Sequence, residues 1–179
     1  MAAAVSILGI SGSLRARSTN TALLEACARI APAEVRVALY GQARDLPHFN
    51  PDLDGDAPPE VVRALRARVA AAGALLFACP EYARGVPGSL KNLLDWLVGS
   101  VDVVGKPVAL LNGSPRASHA QRSLALTLAT ISALPIREEP YLTPVLGRDV
   151  SAEQILAEPA LVAVLRQALA DLAAAARRV

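Results

Sequence analysis

The sequence alternates between two hydrophobic periods. Short, mainly apolar runs, AVSILGI (4–10), EVRVALY (34–40), GALLFAC (73–79) and KPVALLN (106–112), each end at Gly, Pro or a Ser-Gly turn. Between them apolar residues recur at steps of three and four. Leu23, Leu24, Cys27 and Ile30 form one such stripe, VVRALRARVAAA (61–72) a second, Leu90, Leu93, Leu94 and Leu97 a third, and Leu124, Leu128 and Ile131 a fourth. A continuous apolar run bounded by turns is a strand buried on both faces; a three-and-four stripe is a helix with one buried face. Strands alternating with helices specify a parallel sheet covered on both sides, wound with right-handed crossovers.

A fifth, edge-like strand is expected in IREEPYLTPV (136–145), interrupted by Pro140. A final helix is expected from about Ser151, where Ser151-Ala-Glu-Gln154 reads as a capping start, and it carries Ile155, Leu161, Leu165, Leu169 and Leu172. Five strands and five helices over residues 1–179 fit one α/β domain. The expected architecture is a flavodoxin-like three-layer sandwich with a five-stranded parallel sheet in the order 2-1-3-4-5.

Composition removes several function classes. The chain has 179 residues and is 53% apolar but only 3% aromatic, so its core is aliphatic, as helices packed on a sheet require. A formal net charge of +2 leaves no basic footprint, so no nucleic-acid partner is expected. Cys27 and Cys79 have no zinc or redox spacing, and His48 and His119 are isolated, so no metal site is expected. The N-terminus lacks the positive first region of a secretory signal, and no apolar run is read as a span of the ~20 residues a membrane needs. A cytoplasmic protein without a membrane partner is expected.

Ligands of such a sheet bind at the carboxyl ends of the strands, where strand order reverses. Those positions are the loops SGSLRARSTN (11–20), PEYARGVPG (80–88) and NGSPRASHA (112–120). The first leads into a helix N-terminus and offers Ser11, Ser13, Ser18, Thr19, Arg15 and Arg17, a donor ring suited to a terminal phosphate monoester. Ser18 or Thr19 can equally serve as a helix cap. The G-x-G-x-x-G fingerprint is absent, as is G-x-x-x-x-G-K-[ST], and Tyr40-Gly41 stand where a dinucleotide fold carries its acidic ribose reader. A monophosphate ligand is therefore favoured over a dinucleotide in this loop. GQARDLPHFNPDLDGDAPPE (41–60) is a long polar loop, and loops of that length are commonly functional.

GSLRARSTN (12–20) resembles the phosphate loop of the NAD(P)H-dependent FMN reductase family, roughly G-S-x-R-x-x-S-x-N. PEYARGVPGSLKNLLDW (80–96) is similar to its flavin-ring motif, roughly P-E-Y-N-x-x-x-P-G-x-L-K-N-x-x-D-W. The resemblance covers about residues 4 to 175 and extends to DLPHFNPDL (45–53). It implies that Ser11, Ser13, Arg15, Ser18 and Asn20 hold the FMN phosphate. It places Pro80, Glu81, Tyr82 and Ala83 beside the isoalloxazine, and Asn112, Gly113 and Ser114 at the opposite edge. Lys91, Asn92, Asp95 and Trp96 take structural roles, with a dimer contact nearby. The family's Asn after Pro-Glu-Tyr is Ala83 here; a backbone hydrogen bond to the flavin survives, whereas a side-chain bond, worth about 0.5–1.5 kcal/mol, does not.

The activity implied is hydride transfer from NADPH or NADH to flavin N5, then electron transfer to a quinone-like or other small acceptor, in a ping-pong sequence. The flavin supplies the chemistry, so no catalytic side chain is assigned. A homodimer or a tetramer of dimers is expected. Two other classes stay open from the residues alone: a flavodoxin-like module that binds FMN without turnover, and a nucleotide-monophosphate enzyme.

Overall fold

A computed structural model describes residues 4–145 and 149–179. Its central strands are β1 (Val5–Ser11), β2 (Val35–Tyr40), β3 (Ala74–Ala78) and β4 (Pro107–Asn112). Two short strands follow, β5 (Leu134–Pro135) and β6 (Tyr141–Leu142). The helices are α1 (Thr19–Ile30), α2 (Glu60–Ala71), α3 (Gly88–Asp95), α4 (Ser118–Thr130), α5 (Ala152–Leu156) and α6 (Pro159–Ala176). Sheet order is β2-β1-β3-β4-β5, and every pairing is parallel. This is the expected flavodoxin-like order, with its switch point between β1 and β3.

Period-two alternation along the strands divides the core into two layers. Leu8, Ile10, Leu75 and Phe77 point to one face, where Leu65 and Val69 of α2, Leu90 and Leu94 of α3, and Leu124 and Leu128 of α4 cover them. Ile7, Ala74, Leu76 and Ala78 point to the other, under Leu23 and Cys27 of α1, Ile155 of α5, and Leu165, Leu169 and Leu172 of α6. Each fully buried Leu contributes roughly 1.5–3 kcal/mol of transfer free energy, so the stripes read in the sequence are what seat the helices. Helix α6 is apolar enough to resemble a membrane span by length and hydropathy, but its leucine stripe is core.

Two expectations need correction. The fifth strand is not one strand across 136–145. β5 pairs with the start of β4, through Pro107 and Val108, while β6 pairs with its end, through Leu111 and Asn112. Pro135 and Pro140 supply no ladder N–H, so the edge between them is released. The final helix is likewise two helices. The capping box forms as expected, with Ser151 Oγ accepting from Gln154 N and Gln154 Oε1 accepting from Ser151 N. Pro159 then ends the first segment at Leu156, because its ring has no N–H and excludes the carbonyl four residues back.

Candidate active site

The three carboxyl-end loops converge on one cavity of about 470 Å³. The residues proposed from sequence line it, Thr19 among them, except Ser11, Arg17 and Ala83. Cys79, Arg116, Ala117, Val145 and Asp149 join them. Val145 and Asp149 follow β6, where the irregular edge gave no periodic signal, and Arg116 lies in the loop after β4.

At one end the chain turns from β1 into α1. Gly12 N donates to Ala78 O at 2.9 Å, tying the first loop to the end of β3. A Cβ on Gly12 would lie 3.0 Å from Leu90 Cδ2 and 3.1 Å from Pro80 Cδ, so a side chain here would push those neighbours aside by a few tenths of an ångström. Ser18 is the N-cap of α1, accepting from Thr21 N at 3.3 Å. It therefore caps the helix and lines the cavity at once. Its oxygen is engaged by the helix while its O–H is able to donate to a ligand. Asn20 stands in the first turn, where backbone N–H groups lack intrahelical acceptors. Arg15 supplies a cation whose guanidinium meets no carboxylate among the described residues. Helix terminus, hydroxyls and guanidinium together form an anion cradle.

Ser11 has a different position. Its hydroxyl accepts from Thr21 Oγ1 at 3.0 Å and donates to Ser13 O at 3.4 Å, bracing the loop from beneath.

The wall at the other end is Pro80, Glu81 and Tyr82. Tyr82 and Gly85 exchange backbone hydrogen bonds at 3.1 and 2.9 Å. The two residues between them have positive φ, 50° at Ala83 and 61° at Arg84, the pattern of a type I′ turn. That turn favours Asn-Gly, so an Asn at this place serves the backbone as well as any ligand. Ala83 keeps the turn and sits at its tip, away from the cavity lining.

Glu81 links two walls. Its Oε2 accepts from Ala120 N at 2.9 Å, in the first turn of α4, where a carboxylate also meets the positive end of the helix dipole. Gln121, 3% exposed, donates from Nε2 to Cys79 O at 3.1 Å. The loop after β3 is thus strapped to the helix after β4. On the far side Asn112 accepts from Ser114 N at 3.0 Å and contributes Nδ2 to Ala117 O, so its side chain shapes the loop from within. A Cβ on Gly113 would meet Val145 Cγ2 at 3.4 Å, ordinary contact distance, so the loop after β4 and the segment after β6 pack against each other here.

Cys79 ends in this cavity's lining with its thiol pushed up to about 12, by burial first and by the nearby Glu81 second. It is a protonated, inert thiol at neutral pH, as a buried hydrophobe should be. Among the described residues no group of three or more His, Cys, Asp or Glu is placed to hold a metal.

The Lys91–Trp96 segment has a structural task. Asn92 accepts from Phe49 N at 2.7 Å and donates to Pro47 O at 2.9 Å, and Trp96 Nε1 donates to the same carbonyl at 2.8 Å. Phe49 packs edge-on against Trp96, and Arg66 joins Asp54 at 2.6 Å. The long loop after β2 is thereby pinned to α2 and α3. Trp96 is wholly buried, so any subunit contact in this region falls to exposed neighbours such as Val98 and Val101.

The model of the NADPH-dependent FMN reductase family matches residues 5–143. A quinone reductase of Pseudomonas putida is 37% identical over 122 residues, covering 65% of this chain and 64% of that protein. An NAD(P)H-dependent FMN reductase of Pseudomonas aeruginosa is 34% identical over 139 residues, 75% of each chain. The first of these matches thus spans under two thirds of its relative's length. Among solved structures, a flavoenzyme NAD(P)H:(acceptor) oxidoreductase from Paracoccus denitrificans superposes with a TM-score of 0.76 at 28% identity, over 94% of this chain and 97% of that one. Matched by the family model from β1 to β6, this protein belongs to the NADPH-dependent FMN reductase family.

Proposed function

We propose that this chain, as one domain, binds FMN and uses it as an NAD(P)H oxidoreductase that passes electrons to a quinone-like or other small acceptor. The observation that carries the reading is one cavity with an anion cradle at one end and the Pro80–Tyr82 wall at the other. Its volume of about 470 Å³ lies in the range of cofactor sites. Quinone reductase is also the name carried by the Pseudomonas putida relative.

Bound FMN would supply the redox chemistry, accepting a hydride and yielding electrons to the acceptor. The protein's part is orientation. Arg15, Ser13, Ser18 and the first turn of α1 would fix the phosphate. Glu81, held by Ala120 N, would set the spacing between the ring wall and the loop after β4. Tyr82, 50% exposed, stands where a second planar substrate would enter. Ala83 does not favour the alternative of a binding module without turnover, because the turn it occupies is formed without an Asn.

The test is spectroscopic. Protein reconstituted with FMN should show a flavin band that NADPH or NADH bleaches under anaerobic conditions and a quinone restores, with parallel-line ping-pong kinetics. Failure to bind FMN refutes the reading; a band that no nicotinamide bleaches leaves only the binding module. Cytoplasmic location and a homodimer or tetramer of dimers belong to the same proposal, and sedimentation of the FMN-loaded protein checks the assembly.

A further inference from the structure

Most charged groups that line the cavity already have a task. Its carboxylates are Glu81 and Asp149. Glu81 Oε2 accepts from Ala120 N, and Asp149 pairs with Arg17 at 3.3 Å. Its cations are Arg15, which belongs to the phosphate cradle, and Arg116. Arg116 is exposed, and its guanidinium meets no carboxylate among the described residues. Its backbone is fixed all the same: Arg116 N donates to Ser114 Oγ and Ala117 N to Ser114 O, both at 3.1 Å. The bond from Ala120 N to Glu81 seats the start of α4 beside the Pro80–Tyr82 wall. Arg116, two residues before that helix, thus stands on the ring side of the cavity.

The surroundings carry one sign of charge. The chain as a whole is near balance, with 18 basic and 16 acidic residues. Yet residues 82–94 hold no acid, and neither do residues 112–137. Arg84, in the turn of the ring wall, and Arg122, in α4, are exposed and pair with no carboxylate among the described residues. A cleft edged by one sign of charge focuses the field and draws in ligands of the opposite sign. The FMN phosphate leaves this charge free, because its cradle lies at the other end of the cavity. Tyr82, half exposed, lines the same cavity and offers an aromatic face to a planar ring. An uncommitted guanidinium and an open aromatic face fit a flat molecule that carries an oxyanion.

We propose that Arg116 is a specificity residue for the electron acceptor, and that the site prefers quinones bearing an anionic substituent: a carboxylate, a sulfonate or an ionised hydroxyl. The inference rests on the oxidoreductase reading above and narrows its acceptor. The step served is the second half of that reaction. Reduced FMN gives two electrons and two protons to the quinone, which leaves as the hydroquinone, and FMN returns to its oxidised form. Arg116 holds the substituent and takes no part in the transfer.

Two variants and two measurements test it. FMN-loaded protein is reduced with dithionite, freed of excess reductant, and mixed with 1,4-naphthoquinone or with 1,4-naphthoquinone-2-sulfonate. The ratio of the sulfonate's reoxidation rate to that of the neutral quinone should fall about fivefold in Arg116→Ala. Comparing that ratio between proteins cancels the different potentials of the two quinones. Arg116→Lys keeps the charge and should recover most of the ratio. Calorimetry on the oxidised FMN-loaded protein, where no electron moves, should show the sulfonate binding about fivefold more weakly to Arg116→Ala. An unchanged ratio overturns the proposal. An equal loss for both quinones also overturns it, because Arg116 then only shapes its loop. A loss confined to reduction by the nicotinamide assigns Arg116 to the donor and overturns it too. Ferricyanide slowed as much as the sulfonate, with sulfonate affinity unchanged, would mark long-range steering of any anion instead of a bound substituent. Dithionite separates this test from the donor reading: a flavin that no nicotinamide bleaches refutes the NAD(P)H reading and still reports the quinone ratio. A protein that binds no FMN shows no flavin band, and both readings then fall.

Discussion

Ala83 and Arg84 occupy left-handed backbone, at φ of 50° and 61°, where an L side chain costs about 1 kcal/mol or somewhat more. Ala83→Gly should therefore raise stability by about 1 kcal/mol, read as an upward shift of the denaturation midpoint. A fall would mean that the Ala83 methyl makes a contact worth more than the strain. At the other end of the cavity, Arg15→Ala should raise the dissociation constant for FMN far more than that for riboflavin. Equal losses would move the phosphate elsewhere. The motifs around both residues are legible in the sequence, because Gly, Pro and Ser set local backbone geometry. The sign of φ at Ala83 is not, since alanine carries no turn signal. That strain is held by the reciprocal bonds between Tyr82 and Gly85.

Helix α4 has no side-chain cap of its own at Ala117; Glu81, from a loop 39 residues earlier, takes that place. Glu81→Ala should destabilise the fold by about 1 kcal/mol, the usual value of an N-cap, and should weaken FMN binding because both walls lose their strap. Glu81→Gln keeps an acceptor oxygen and should recover most of both losses. Thermal denaturation and flavin titration of the two variants check this, and no difference between them would remove the capping role. The helix α4 stripe is legible from Leu124 and Leu128, whereas its cap is not, because nothing local marks a capping group so distant in sequence. The same holds for the loop after β2. Its length is visible, but its attachment to Asn92 and Trp96 depends on the packing of α3. The divisions at Pro140 and Pro159 are the reverse case, since the prolines that cause them are in plain view.

Across the molecule, burial holds the Cys27 thiol up at about 12, and burial aided by Glu81 does the same for Cys79, both from an ordinary 9.0. Below pH 9 both thiols are protonated whether the chain is folded or not, and stability does not depend on them. Above it the unfolded chain releases protons that the folded chain keeps, so folding stability falls as pH rises toward 12. Urea denaturation between pH 8 and 10 should show this decline, and Cys79→Ala should make it shallower. A slope unchanged by that substitution would mean the thiol is not held protonated. Within that window a thiol reagent should leave the folded protein unmodified.

The sequence by itself determined the strand and helix periods, the aliphatic core, the parallel order and the two flavin-family motifs, because each is written in spacings of a few residues. Only the tertiary structure decided that these loops share one cavity. It also decided that Glu81 serves a distant helix, and that Val145 and Asp149 complete the lining. The place of Arg116 beside the Pro80–Tyr82 wall is of the same kind. The physical reason is contact across the sheet: those residues meet only after the strands pair, and pairing brings together positions whose separation along the chain leaves no periodic trace.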